Sequence, residues 1–446
     1  MTNINYSAAA AILILFLFLF AFFMAIQINL ASLSMLNIVT DLTRDKASSQ
    51  TNYQELKRMK KLDPQIVMTK EEPLQPLPVQ FPCARKATIC CDRSHQFYAI
   101  CLINGSTVLD PTTATFFVMD PTSSSASYTL EKIRPYPRKA ESHTMATIKE
   151  LTLTSGPGPS PPCEVQHNVP ALVFSAGGYT GNFFHDLSDG FIPLFITINS
   201  IFDAHQDFIL VISKARDWWV NRYADLLHIL TKHPIINLDN DTSNHCFTSA
   251  SVGLISHGLI TVDPTLLPRP TTLSDFCSML GKAFGHLGSA ILDPPKVRPR
   301  LVLISRPGGI GRVLLNEEDA KRLAEKIGFE LVLFEPKATT SLSNVYALLH
   351  TSHAMIGVHG AALTHLLFLR PDSVFVQVVP LGTRWVAKVC YGMPARAVGL
   401  EYIEYRIGVE ESSLLEKYDK NDLVIKDPIA FRGKNWIAKR FMEKEG

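Results

Sequence analysis

Residues 354–380, AMIGVHGAALTHLLFLRPDSVFVQVVP, decide the reading of the fold. An apolar run from Ala354 to Val358 predicts a buried strand. It stops at His359-Gly360-Ala361-Ala362, and a helical stretch follows. Arg370-Pro371-Asp372 then makes a turn, and Val374 to Val379 forms a second apolar strand. Strand, small-residue turn and helix are half of a nucleotide-binding α/β unit. Small residues let backbone N–H groups and a helix N-terminus approach an anionic ligand. His359 stands at the carboxyl end of its strand, where such sheets place ligands. The usual dinucleotide glycine fingerprint is absent, so spacing alone fits an ordinary strand-to-helix turn equally well.

The alternation extends outward on both sides. Residues 301–305 and 330–334 read as strands. Asn316-Glu-Glu-Asp opens a helix whose acidic first turn matches the helix dipole, and Gly328 is its C-cap. Ser341 caps a further helix reaching to 353. Residues 401–405 alternate as a strand and run into the acidic loop Glu410-Glu411-Ser412. Carboxylates and aromatics together there suit sugar or ribose hydroxyls. Residues 285–299, with paired prolines and basic residues, read as an interdomain linker. Before it, residues 171–174, 208–212, 235–238 and 258–262 read as strands. Residues 183–199 read as a helix that Pro193 must kink or split. Residues 218–231 read as an amphipathic helix, with Trp218-Trp219 as packing residues.

Three constellations carry chemistry. In Asn182-Phe-Phe-His185-Asp186-Leu-Ser-Asp189, Asn182 is a helix N-cap beside the glycine-rich turn that holds Tyr179. His185 and Asp189, four apart, share one helix face. An imidazole next to a carboxylate is general-base equipment, although a solvated polar face has the same spacing. In Ser305-Arg306-Pro-Gly-Gly-Ile-Gly-Arg312, two arginines leave a strand across a glycine-rich loop, a pattern suited to phosphate oxygens. The third is the Glu410 loop already described.

A chain of 446 residues, 46% hydrophobic and 19% charged, is long enough for two domains with real cores. Its net charge of +2 gives no field that argues for a nucleic-acid partner. Residues 8–28 are uncharged and almost wholly apolar, long enough to span a bilayer and too long for a cleaved signal peptide. They predict a transmembrane anchor behind a short tail, 1–7. A polar and then proline-rich stem follows at 29–80. Arg44, Lys46, Lys57, Arg58, Lys60 and Lys61 follow the anchor, so the positive-inside rule mildly opposes a lumenal body. Eight cysteines form no CxxC pair or spaced zinc set, so a zinc site is not expected. They are compatible with lumenal disulfides of undetermined pairing. Asn104 and Asn240 head two glycosylation sequons, which are used only in the secretory lumen.

Together these segments resemble glycosyltransferase family 61, and within it the plant enzymes that decorate xylan. The resemblance runs from about Pro82 to about Trp436. It rests on Pro135-Tyr136-Pro137-Arg138-Lys139, residues 169–197 with GGYTGNFFHDLSD, Asp217-Trp218-Trp219, residues 305–316, residues 357–380 and Glu410-Glu411-Ser412-Ser413-Leu414. It implies an α/β fold of two Rossmann-like domains facing across a cleft (GT-B type). An acceptor-side domain would occupy 81–295 and a nucleotide-sugar-binding domain 296–446. It further implies a single-pass type II Golgi membrane protein with a lumenal catalytic body.

The implied reaction is inverting transfer of arabinofuranose or xylose from a UDP-pentose to xylan or arabinoxylan, with no metal or other cofactor. Asp189 is the expected base, with His185 as the runner-up or orienting partner. Arg306, Arg312, Asn316, His359, Gly360, Ala361 and Thr364 are expected at the donor, and Asn182, Tyr179 and Glu410 along the acceptor cleft. Three departures stand out. The loop between Arg306 and Arg312 is slightly long. Ala362 and His365 replace the commoner Gly and Asn. The chain stops at Gly446, where relatives continue into a final helix. That last departure keeps an alternative open: an inactive, membrane-tethered relative that binds glycan or nucleotide.

Overall fold

The computed structural model describes residues 87–118, 129–155, 160–203, 206–285, 298–306 and 312–432. All of these belong to the compact unit Pro78–Gly446. The expected tail, anchor, stem and most of the 285–299 linker lie outside the described residues. Within them, no helix is long and apolar enough to cross a membrane. The architecture is mixed α/β with three sheets.

The first sheet contains β1 (Ile89–Asp92), β2 (Ile100–Ile103), β8 (Ala171–Ser175), β9 (Ile209–Ser213), β10 (Ile236–Asn237) and β12 (Ala250–Val252). Its order is β1-β2-β12-β8-β9-β10. β12, β8, β9 and β10 run parallel, while β2 is antiparallel to both β1 and β12. The second sheet holds β3 (Thr107–Asp110), β4 (Thr115–Val118), β5 (Thr129–Ile133), β6 (Leu151–Ser155), β7 (Val165–Gln166) and β11 (His245–Phe247), in the order β5-β6-β4-β3-β11-β7. A plain Rossmann-like unit before residue 295 is therefore only part of what forms. Its parallel strands are present, extended by an antiparallel pair and backed by a second sheet.

Side-chain alternation explains how the first sheet is covered on both faces. Leu172, Phe174, Leu210 and Ile212 point into one hydrophobic cluster, while Ala171, Val173, Ile209 and Val211 point into another. The second cluster also takes Leu109, Phe116, Leu151 and Leu153 from the second sheet. With both faces buried, β8 and β9 are continuous apolar runs.

The third sheet is wholly parallel: β13 (Arg300–Ile304), β14 (Glu330–Phe334), β15 (Ala354–Val358), β16 (Val374–Val379) and β17 (Glu401–Arg406), in the order β14-β13-β15-β16-β17. Strand order reverses between β13 and β15. Open parallel sheets bind ligands at the carboxyl ends on either side of such a reversal. Ser305-Arg306 leaves β13 there, and His359-Gly360 leaves β15.

The helix Leu273–Phe284 begins in a capping box formed by Thr272 and Asp275. Its buried residues Phe276, Leu280 and Phe284 repeat every four positions. They join one cluster with Met355, Phe368 and Phe375 of the third-sheet half.

Four local expectations differ from what forms. Residues 258–262 form no strand; Ile260 is buried but holds a φ of 45°, outside strand geometry. The stretch after β15 is a 3-10 helix, Ala361–Phe368, rather than an α-helix. Pro193 does not break its helix. A π-helical segment, Asp186–Phe191, precedes it, with Ile192 N–H donating to the Leu187 carbonyl. The missing Pro193 N–H thus falls where the ladder changes register. Residues 218–231 divide at Tyr223 into two helices, Asp217–Arg222 and Ala224–Leu230.

Candidate active site

The glycine-rich turn after β8 delivers Asn182 as an N-cap whose Oδ1 accepts Phe184 N–H at 3.1 Å. The next turn of helix brings His185 and Asp189 together, with Nδ1 2.8 Å from Asp189 Oδ2. Asp189 is 3% exposed. Its Oδ2 also accepts from Tyr136 Oη at 3.0 Å, and its Oδ1 from Arg138 Nη2 at 2.6 Å. Burial alone would raise the Asp189 carboxyl. The hydrogen bond from His185 and the charge of Arg138 outweigh it and hold the group below its usual range.

An ionised Asp189 can only accept, so His185 Nδ1 carries a proton, which in the neutral imidazole leaves the lone pair on Nε2. Arg138 Nη2 also comes within 3.3 Å of Nδ1. With a donor on each side, that approach is close packing rather than a bond. Among the described residues, Nε2 has no hydrogen-bond partner.

A second frame fixes the ring. Arg138 Nη1 pairs with Glu141 Oε1 at 3.0 Å, and Tyr179 Oη donates to Glu141 Oε2 at 2.9 Å. The Tyr179 ring lies on the His185 ring, with centroids 4.5 Å apart. Asp186 locks the turn itself, accepting Gly181 N–H at 2.9 Å and Tyr223 Oη at 2.7 Å.

The switch point of the third sheet is equally ordered. Arg306 Nη2 donates to the carbonyls of Val358 (3.2 Å) and His359 (3.1 Å). Gly360 leaves room for this arginine, since a Cβ there would lie 1.8 Å from Arg306 Nη2. Gln377 Nε2 donates to His359 Nδ1 at 2.8 Å, and Tyr402 Oη donates to Gln377 Oε1 at 2.7 Å. That relay puts the His359 proton on Nε2.

Tyr391 Oη donates to the Gly360 carbonyl at 2.8 Å, and its hydroxyl feels the charges of both Arg312 and Arg306. The same Tyr391 ring meets Phe184 edge-on at 5.8 Å, directly before His185 in the chain. Tyr391 therefore connects the His185 helix to the Gly360 turn. It sits in a second π-helical segment, Lys388–Gly392. Chain irregularities of this kind gather at functional sites.

Ala361 and Thr364 lie on the 3-10 helix that leaves Gly360, and Thr364 is buried. Asn316 caps the helix Glu317–Ile327 without using its side chain. Glu410 is exposed, and no hydrogen bond, ion pair or ring contact joins it to the other site residues. His365 is a packing residue. Its ring stacks on Phe183 at 4.2 Å, Nδ1–H donates to the Ala362 carbonyl at 2.7 Å, and burial pushes its pKa down to about 4. Among the described residues, no cluster of three or more His, Cys, Asp and Glu is placed to hold a metal ion.

Sequence reasoning gave no role to Tyr136, Arg138, Glu141, Gln377 or Tyr391, and it read Tyr402 among the aromatics suited to sugar hydroxyls, whereas the Tyr402 hydroxyl is bonded to Gln377. Gln377 had a local signal: it is a polar residue in the middle of the apolar strand VFVQVV.

A histidine–carboxylate pair joined through one aromatic residue to an arginine-lined switch point is the equipment of an α/β group-transferring enzyme. The family model for glycosyltransferase 61 matches residues 181–376. A xylan glycosyltransferase of Arabidopsis thaliana is 39% identical over 372 residues, covering 79% of this chain and 74% of its own. An alpha-1,3-arabinosyltransferase of Oryza sativa subsp. japonica is 36% identical over 80% of this chain and 62% of its own. A beta-1,2-xylosyltransferase of the same rice is 36% identical over 78% and 62%. The chain belongs to glycosyltransferase family 61.

Proposed function

We propose that this protein transfers a pentose, arabinofuranose or xylose, from a UDP-pentose onto xylan, with inversion at the transferred anomeric carbon. The activities of these relatives support the sugar class and the acceptor. The observation that carries the chemistry is the His185–Asp189 pair, whose imidazole keeps Nε2 available. Inversion is a single displacement. A base removes the acceptor hydroxyl proton as that oxygen attacks the anomeric carbon and the diphosphate leaves.

His185 Nε2 is the base in this reading, and Asp189 orients the ring and stabilises the imidazolium. This reverses the roles expected from the family resemblance. Both Asp189 oxygens already accept hydrogen bonds from Tyr136, Arg138 and His185, and the group is buried. It has neither the access nor the basicity to take a proton from an acceptor.

The donor belongs at the third-sheet switch point, on a domain that faces the His185 domain across a cleft. Arg306 and Arg312 neutralise the diphosphate, His359 stands at the strand end beside it, and Gly360, Ala361 and Thr364 line the turn. Asn316 lies at the edge of this site, and Tyr179 and Asn182 at the acceptor side. The arginines supply the positive charge that a metal would otherwise bring, so transfer should survive a chelator.

Residues 8–28 anchor the protein in the Golgi membrane with its body in the lumen. Disulfides Cys91–Cys101 and Cys163–Cys246 favour an oxidising compartment. Asn104 and Asn240 lie exposed, as acceptors for glycan must.

The test is a donor screen. Full-length protein is offered UDP-arabinofuranose and UDP-xylose with xylohexaose, alongside His185→Ala. One donor should yield a pentosylated product and the variant should yield none. Transfer from neither donor, or full transfer by the variant, would sink the proposal.

A further inference from the structure

The parallel strands β8 and β9 lie side by side, and their carboxyl ends open onto the same edge of the first sheet. The turn after β8 leads to His185. The turn after β9 leads to the helix Asp217–Arg222 and its paired tryptophans. The two tryptophans are placed quite differently. Trp219 is 2% exposed and stacks against Phe191 at 5.4 Å, fixing the helix to the core. Trp218 is 44% exposed.

The Trp218 ring lies beside the glycine-rich turn. Gly181 has a φ of 108°, and a Cβ on it would touch the Trp218 ring edge at 3.7 Å. The edge of the indole therefore lies next to a residue that carries no side chain. The turn beneath is rigid because Asp186 accepts the Gly181 N–H. Next in the chain is Asn182, exposed, with Oδ1 committed to the helix cap. His185 follows within one helical turn. A flat apolar face, an amide and a basic imidazole thus follow one another along this edge. At the far end of the Trp218 helix, Arg222 bonds the Ala338 carbonyl of the third-sheet half, so the helix runs along the seam between the two halves.

We propose that Trp218 is an acceptor platform, stacking on a pyranose ring of the glycan one short step along the chain from the hydroxyl that His185 deprotonates. This rests on the reading that the acceptor is a xylan. A β-linked xylosyl ring has no exocyclic carbon, so its faces are flat arrays of C–H bonds. Those polarised C–H groups are attracted to the electron-rich face of an indole. A remote platform of this kind holds the acceptor in register without touching the reacting atoms.

The experiment compares Trp218→Ala, Trp218→Leu and Trp218→Phe in the full-length protein, with xylobiose and xylohexaose as acceptors. The KM for xylohexaose should rise about tenfold in the Ala and Leu variants and by less than about threefold in the Phe variant. The xylobiose KM should change less, since a disaccharide covers the platform in only one of its two placements. UDP-pentose hydrolysis without acceptor should match wild type in all three. An unchanged xylohexaose KM in Trp218→Leu overturns the proposal, as does equal loss in the Leu and Phe variants accompanied by lost hydrolysis. Should the Ala variant fail to fold, the Leu and Phe pair decides. Affinity electrophoresis on xylan separates the two levels of the argument. A wild-type chain that ignores xylan contradicts the acceptor reading. A wild-type chain retarded no more than Trp218→Leu contradicts the platform alone.

Discussion

Asp189→Asn probes the site more deeply than any other single change. Three donors converge on this carboxylate: Tyr136 Oη, Arg138 Nη2 and His185 Nδ1. A carboxamide offers one accepting oxygen and turns the other position into a donor. One of the three groups must then face a donor at contact distance. Arg138 keeps Glu141, so its charge is not left wholly unpaired. That lowers the expected cost from the full penalty of a broken buried ion pair to about 2–4 kcal/mol.

The sign with pH follows from the depressed carboxyl. The Asp189 contribution is complete above the unfolded carboxyl value of about 3.9 and is lost as pH falls through the lower folded value. The stability gap between wild type and Asp189→Asn should therefore be constant from neutral pH down to about 5 and close in strong acid. Denaturant titration at a series of pH values reads it. Catalysis should suffer more. With the carboxamide oxygen kept by Arg138, its NH2 faces Nδ1, which moves the ring proton to Nε2 and removes the lone pair there, so transfer should fall by about two to four orders of magnitude, as for loss of a general base. UDP affinity, measured by calorimetry, should change by less than about threefold. A variant with near-normal transfer would refute the orienting role. A dead Asp189→Asn beside an active His185→Ala would make the carboxylate the base.

Further outcomes follow from the same geometry. Gly360→Ala places a methyl group against the Arg306 guanidinium and should weaken UDP binding at least about tenfold by calorimetry, because the arginine must move out of its two carbonyl contacts. Arg312→Ala should lose about 1.5–3 kcal/mol of UDP affinity, the scale of one charge-assisted hydrogen bond; unchanged binding would put the diphosphate elsewhere. Enzymatic deglycosylation should lower the apparent mass of expressed protein in steps removed by Asn104→Gln and Asn240→Gln. No shift, with protease sensitivity from the cytosolic side of intact vesicles, would contradict the lumenal body.

The third sheet could be read almost strand for strand because its central strands are largely buried on both faces, which leaves apolar runs such as Arg300–Ile304, Ala354–Val358 and Val374–Val379 between turn residues. The second sheet could not. Strands such as Thr129–Ile133 are short and half-exposed, and their pairing partners are set by contacts distant in sequence. Residues 258–262 show the opposite failure, an apolar run buried without pairing.

At the site, the four-residue spacing of His185 and Asp189 was visible because both sit on one helix. Their division of labour was not. It depends on Tyr136 and Arg138, which approach from about fifty residues away and whose motif carried no chemical label. His359 was visible at its strand end, whereas the Gln377–Tyr402 relay that sets its proton crosses two neighbouring strands. Trp218 and Trp219 look alike in sequence, and only the packing of Trp219 on Phe191 tells them apart.

The central claim, inverting pentosyl transfer to xylan with His185 as base, meets its most direct test in the anomeric configuration of the product. Full-length protein would be incubated with the accepted UDP-pentose and xylohexaose, and the product followed by proton NMR from the first turnovers. The account predicts a new pentosyl anomeric signal of configuration opposite to that of the donor, absent with His185→Ala. A product with the donor's own configuration, or one formed equally well by His185→Ala, would contradict it.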